Sequence, residues 1–96
     1  MPFEALAKNG RISTAIMYHV YILQSISNPK EIYTGYTQDI QSRIEAHNSG
    51  ASAHTAKFKP WKLRFSASFY DKGTALEFER YLKTATGIAF RNKRLI

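Results

Sequence analysis

Ninety-six residues make a single domain, which at this size buries roughly 60–70% of the surface its unfolded chain exposes, and a composition 44% hydrophobic and 14% aromatic is too apolar for a disordered chain. With 14 Lys and Arg against 7 Asp and Glu the formal charge is +7, a field that draws polyanions; nucleic acid leads the partner classes, and a solvated surface that happens to be basic is the competing reading. The absence of cysteine excludes disulfides and thiolate zinc sites, no apolar run reaches the roughly 20 residues of a membrane span, and no signal core stands at the N-terminus, so the expected compartment is the cytoplasm.

Residues 1–16 carry Phe3, Leu6 and Ala7 at helical spacing but are cut by the turn signal Asn9-Gly10, and read as a loose N-terminal extension to one domain over 17–96. Met17 stands directly before the first strong strand signal, so translation starting there is an equal expectation, which the intact mass of the natively expressed protein decides.

Tyr18 to Gln24 is rich in aromatic and β-branched residues and apolar on both alternating sets, which predicts a central strand covered on both faces. Asn28-Pro29 turns the chain, and Glu31 to Thr37 predicts a second strand paired antiparallel with the first. Gly35 interrupts that strand; it marks either an ordinary bulge or a place where something approaches the backbone closely.

Thr37 offers an N-cap for a helix over about 38–49, with Ile40, Ile44 and either Ala46 or His47 toward the core and Gly50 as its stop. Arg43 and His47 share one face, four residues apart; Asp39, four residues before Arg43, reads as its surface ion-pair partner. Residues 51–60 are small, polar and basic, a loop. Trp61 to Tyr70 alternates Leu63, Phe65, Ala67 and Phe69 against Arg64, Ser66, Ser68 and Tyr70, a third strand.

Thr74 is placed to cap a second helix over about 75–84, ended by Gly87. At 100° per residue Ala75, Phe78 and Leu82 share an arc, Glu79 falls beside them, and Glu77 points away. A carboxylate on a buried face must be paired, protonated or holding a cation, and Lys83 four residues on is the plain partner. The tail, 88–96, alternates apolar and basic residues and reads either as a final helix or strand packing Phe90 and Leu95, or as a solubilising end.

Taken together, His19-Val20-Tyr21, Tyr33-Thr34-Gly35, Asp39-Ile40, Arg43-Ile44, His47-Asn48-Ser49-Gly50, His54-Thr55, Lys59-Pro60-Trp61 and Ala75-Leu76 with Glu79 resemble, in order, the GIY-YIG nuclease superfamily. The likeness is to its small single-domain members related to the N-terminal nuclease domain of the excision-repair excinuclease, and it spans about residues 17–95. His19 and Thr34 depart from the family triplets, and neither change removes a reactive group.

The resemblance implies an α+β fold, a three-stranded antiparallel sheet flanked by helices. It also implies a metal-dependent endonuclease acting on DNA in preference to RNA, structure-directed rather than sequence-specific, in the manner of DNA repair. Within it Glu79 would hold one Mg²⁺ or Mn²⁺, Arg43 would fork onto the scissile phosphate, and Tyr21 would orient or activate the water with Tyr33 beside it. His47 would assist proton transfer or hold a phosphate, or else simply pack over the core.

Gly35, Lys57, Lys59, Lys62, Arg64, Arg91, Lys93 and Arg94 would meet the nucleic-acid backbone, and no recognition helix or zinc finger for base readout is evident. Two rival readings use the same residues differently: a non-catalytic nucleic-acid-binding module on the same fold, and a protein-interaction domain using Tyr36, Trp61 and Tyr70. Neither a membrane partner nor an oligomeric state is indicated.

Overall fold

The computed structural model describes residues 5–6, 12–13 and 16–96. Ala5–Leu6 (β1) and Ile12–Ser13 (β2) pair antiparallel, with Leu6 opposite Ile12. The rest of the expected N-terminal extension, with its Asn9-Gly10 turn, lies outside the described residues.

Tyr18–Ser25 (β3) is the middle strand of a three-stranded sheet, between Ile32–Thr37 (β4) and Trp61–Phe69 (β5), and both pairings are antiparallel. Its two apolar sets serve two cores. Val20 and Ile22 pack with Ala75, Phe78 and Leu82 on one face, while Tyr21 and Leu23 pack with Tyr33, Ile44, Phe58 and Trp61 on the other. This is the α+β sandwich expected of a strand that is apolar on both sides.

Strict alternation along the third strand fails at one place. Ile22 stands opposite Phe65 but Leu23 stands opposite Leu63, so Arg64 is the extra residue of a β-bulge. The bulge flips the side chains before it: Phe65 and Phe69 pack partly buried against the first core, Trp61 enters the second, and Leu63 is exposed. Burial of Trp61 also removes it from any exposed aromatic docking surface; its indole N–H donates to the Thr55 carbonyl at 2.9 Å.

Both long helices begin at an aspartate and not at the expected threonine. In Ile40–Ser49 (α1) the Asp39 carboxylate accepts from the Ser42 N–H, while Thr37 is absorbed in a local turn with Asp39. Asp39 is therefore a cap rather than the ion-pair partner of Arg43. In Lys72–Tyr81 (α3) Asp71 caps the Thr74 N–H and hydroxyl, starting the helix three residues early. Aspartate outcompetes a nearby threonine because a charged carboxylate both accepts from the free N–H groups and complements the positive helix end.

The expected loop at 51–60 contains one helical turn, Ala53–Ala56 (α2), anchored by buried Thr55. Gly87 does not end a helix. It is buried inside Ala85–Phe90 (α4), which Thr84 caps, and a turn of π-helix follows over Arg91–Leu95. Leu95 and Ile96 close over the first core, whereas Phe90 stays exposed against Tyr81. No described helix is long and apolar enough to cross a membrane.

Gly87 lets α4 fold back onto the end of α3, since a Cβ there would fall 1.8 Å from the Tyr81 carbonyl oxygen. Gly87→Ala is expected to cost about 1–3 kcal/mol through the forced shift. At roughly 4–8 °C per kcal/mol for a domain of this size, thermal melting followed by circular dichroism resolves that loss.

Candidate active site

The second core is unusual in what it buries. Tyr21 is 1% exposed and His47 is fully buried, and the phenol oxygen lies 3.0 Å from His47 Nε2. Tyr21 reaches the histidine because it stands opposite Gly35 in the β3–β4 pair and lays its ring over that residue. A Cβ at Gly35 would meet the Tyr21 hydroxyl at 2.4 Å and the ring carbon bearing it at 2.5 Å. The space left by the missing side chain is thus filled by Tyr21, and Gly35 itself is buried.

Arg43, one turn before His47 on α1, hydrogen-bonds the Tyr21 phenol and also interacts with Tyr33. The Tyr33 ring centroid lies 4.8 Å from that of His47, 6.1 Å from that of Tyr21 and 6.3 Å from that of His54. The structure therefore brings Tyr21, Tyr33, Arg43 and His47 into one cluster. It adds Thr55, whose hydroxyl lies 2.8 Å from His47 Nδ1.

Electrostatics in the cluster follow from burial and one cation. Burial pushes the Tyr21 phenol above its ordinary value near 10, against the opposing pull of the Arg43 guanidinium. Burial also pulls His47 below its ordinary 6.5, and the positive charge of Arg43 acts in the same sense. The Tyr21 contact raises Arg43 further, leaving it a permanent cation. At neutral pH the site is a neutral phenol between a fixed positive charge and a neutral imidazole.

Glu79 comes from the other side of the sheet. It lies on the flank of α3 with 18% of its side chain exposed and is ion-paired with Lys83, while Glu77 is exposed. A cleft of about 290 Å³ runs over the edge strand β4 and joins the two sides: Tyr33, Thr34 and His54 line one wall, Lys83, Ile88 and Arg91 the other. Lys83 thus both neutralises Glu79 and faces the cleft.

Among the described residues no group of three or more His, Cys, Asp or Glu side chains is gathered as metal ligands. A lone half-buried carboxylate fits a Mg²⁺-type ion, which keeps most of its waters and takes its remaining ligands from a bound phosphate. It does not fit a caged zinc or calcium site, and Lys83 must move aside for any cation to bind.

Of the cations expected to meet a nucleic-acid backbone, Arg91 alone lines this cleft. Lys57 is exposed over the Phe58 ring and borders a second hollow beneath Tyr33. Lys59, Lys62, Lys93 and Arg94 are exposed, and Arg91 is half-buried in the cleft wall. Arg64 donates to the Gln24 side chain instead. Thr55 is a member of the cluster that sequence reasoning misses; its only signal is its place in the His54-Thr55 pair within the family resemblance.

The family model of the GIY-YIG catalytic domain matches residues 17–93. The chain belongs to the GIY-YIG family. It is 40% identical over 67 residues to the UPF0213 protein YsiG of Lactococcus lactis, covering 69% of this chain and 62% of that one. A UPF0213 protein of Halobacterium salinarum is 38% identical over 68 residues, covering 70% of this chain and 86% of its own length. The structure-specific endonuclease subunit SLX1 of Debaryomyces hansenii is 37% identical over 73 residues. That alignment takes in 69% of this chain but only 21% of the yeast protein. The GIY-YIG chain thus spans less than two thirds of the length of two of these relatives.

The depressed His47 pKa makes the stability of the GIY-YIG domain pH-dependent. Below about 6.5 the unfolded chain binds a proton at this position that the folded chain refuses, so stability falls as pH drops from there to the folded pKa, where the loss levels off. Urea unfolding between pH 7.5 and 5 is expected to show a steeper loss for the wild type than for His47→Gln. Equal slopes would mean that His47 is not held neutral.

Proposed function

We propose that this domain is a metal-dependent endonuclease that hydrolyses phosphodiester bonds in DNA, guided by the shape of the nucleic acid and only weakly by its sequence. The observation that carries this reading is the Tyr21 phenol held between the Arg43 guanidinium and Nε2 of the buried, neutral His47. The relationship to a structure-specific endonuclease subunit supports an endonuclease guided by the shape of its substrate.

Hydrolysis needs a proton taken from water, charge neutralised on the phosphoryl oxygens, and a departing oxygen stabilised. A phenol with a raised pKa is a poor base on its own. Its hydrogen bond to Nε2 offers the remedy: the Tyr21 proton passes to His47, and the phenolate accepts a proton from the attacking water. The water oxygen then bonds to phosphorus while the bond from phosphorus to the leaving oxygen breaks, and the leaving oxygen takes up a proton from solvent. The proton held on His47 is afterwards returned to solvent, restoring the neutral imidazole.

Arg43 sits at the phenol oxygen where the scissile phosphate must lie, and its fixed fork of donors suits two phosphoryl oxygens. Tyr33 lines the cleft beside it and donates to a further oxygen. Glu79, once released by Lys83, would hold a divalent cation of the Mg²⁺ type, which when bound neutralises charge building on the phosphate. Lys57, Lys59, Lys62, Arg91, Lys93 and Arg94 supply contacts that follow the backbone without reading bases.

One observation favours the second reading, a binding module without turnover: the Glu79 carboxylate is already neutralised by Lys83. The two readings part in a cleavage assay with branched, flapped and single-stranded DNA and with RNA, in Mg²⁺ or Mn²⁺. A nuclease cuts at least one substrate, Arg43→Ala lowers kcat by about 10²–10³-fold, and Glu79→Ala abolishes the dependence on added cation. A binding module shows salt-sensitive association, no cation-dependent cleavage, and no response to Glu79→Ala.

A further inference from the structure

The hydrogen bonds around Tyr21 continue beyond His47 to a residue with no part of its own in the proposed chemistry. Thr55, on α2, is 1% exposed. Its hydroxyl oxygen lies 2.8 Å from His47 Nδ1 and 3.4 Å from the Ser52 carbonyl oxygen. Its own carbonyl holds the Trp61 indole N–H at 2.9 Å, so the turn carrying it is pinned from beneath by a buried ring.

The ends of this chain of groups set the direction of its protons. Arg43 can only donate, so at that end the Tyr21 oxygen accepts. The Tyr21 proton is then left to His47 Nε2, 3.0 Å away, or to the Tyr33 phenol, which also hydrogen-bonds Tyr21. A bare Nε2 in a neutral imidazole requires the proton to sit on Nδ1, which donates to Thr55. The Thr55 proton points to the Ser52 carbonyl, which can only accept. Along the His47 branch, from donor-only guanidinium to acceptor-only carbonyl, each group between donates once and accepts once.

We infer that Thr55 is a positioning residue: by accepting from Nδ1–H it holds His47 in the tautomer whose Nε2 lone pair receives the Tyr21 proton. With the opposite tautomer an Nε2–H would face the phenol, and His47 could take nothing from it. Tyr21 on β3, Tyr33 on β4 and Arg43 on α1 itself are the titratable and charged groups facing the imidazole, with His54 on α2 beyond Tyr33. Thr55 is the hydrogen-bond partner at Nδ1, so the choice of tautomer falls to its hydroxyl.

The catalytic consequence rests on the nuclease reading, whereas the tautomer does not, and the test keeps the two apart. Long-range ¹H–¹⁵N spectra of the full ¹⁵N-labelled chain near pH 7 are expected to show His47 protonated at Nδ1. Thr55→Val, close in shape but without the hydroxyl, should move that proton to Nε2. It should also lower kcat by roughly 10²-fold, the lower range of what a positioned proton transfer contributes, with little change in KM. Thr55→Ser should restore both the tautomer and the rate.

A wild-type His47 protonated at Nε2, or a Thr55→Val protein with unaltered tautomer and kcat, would overturn the inference. A wild type that cuts nothing yet shows the expected tautomer and its shift in Thr55→Val upholds the hold of Thr55 on His47 and removes the nuclease reading instead. If Thr55→Val fails to fold, the wild-type spectrum together with Thr55→Ser decides.

Discussion

The contact on which the rest of the site depends is the Tyr21 ring lying over Gly35. The central strand delivers Tyr21 to the face covered by α1, and cross-strand pairing places position 35 directly opposite. Neighbouring side chains on one sheet face ordinarily stand side by side. Here one of the two is missing, so the phenol can tilt across the edge strand and reach Nε2 of a fully buried histidine. With any side chain at position 35 the ring must move, and the His47 and Arg43 contacts move with it.

Burying a tyrosine, a histidine and a threonine in one core is costly unless each polar atom finds a partner. Among the described residues, no buried side-chain nitrogen or oxygen lacks one. The mutual satisfaction of Tyr21, His47, Thr55 and Trp61 fixes the geometry of the cluster. The same burial keeps His47 neutral, and so able to receive a proton. Stability and proposed chemistry therefore draw on one set of hydrogen bonds.

Much of this is legible in the sequence. Apolar residues on both alternating sets mark the central strand, the four-residue spacing of Arg43 and His47 puts them on one helix face, and helical angles place Glu79 at the edge of a buried arc. What stays hidden depends on three-dimensional competition. Thr37 and Thr74 are good caps by type, yet the capping positions go to Asp39, two residues after the first, and to Asp71, three residues before the second. An unbroken alternation from 61 to 70 gives no warning of the bulge at Arg64 that turns Trp61 inward and Leu63 outward. Thr55 lies in a polar stretch that reads as loop, because a threonine buried for its hydroxyl leaves no hydrophobic pattern. The Glu79–Lys83 pair is visible as a possibility, but spacing alone does not say whether a carboxylate waits for a metal or already has its counter-ion.

Cleavage by this site requires that Arg43 with its tyrosines on one face of the sheet and Glu79 on α3 on the other act together on a single phosphate. A crystal structure with Mn²⁺ and a short DNA strand carrying an uncleavable linkage tests this most directly. The predicted result is Mn²⁺ on the Glu79 carboxylate with Lys83 displaced, one phosphate shared between that ion and Arg43, and Tyr21 still bonded to His47. Mn²⁺ bound elsewhere while Glu79 keeps Lys83, or a phosphate seated away from Arg43 and Tyr21, would contradict it.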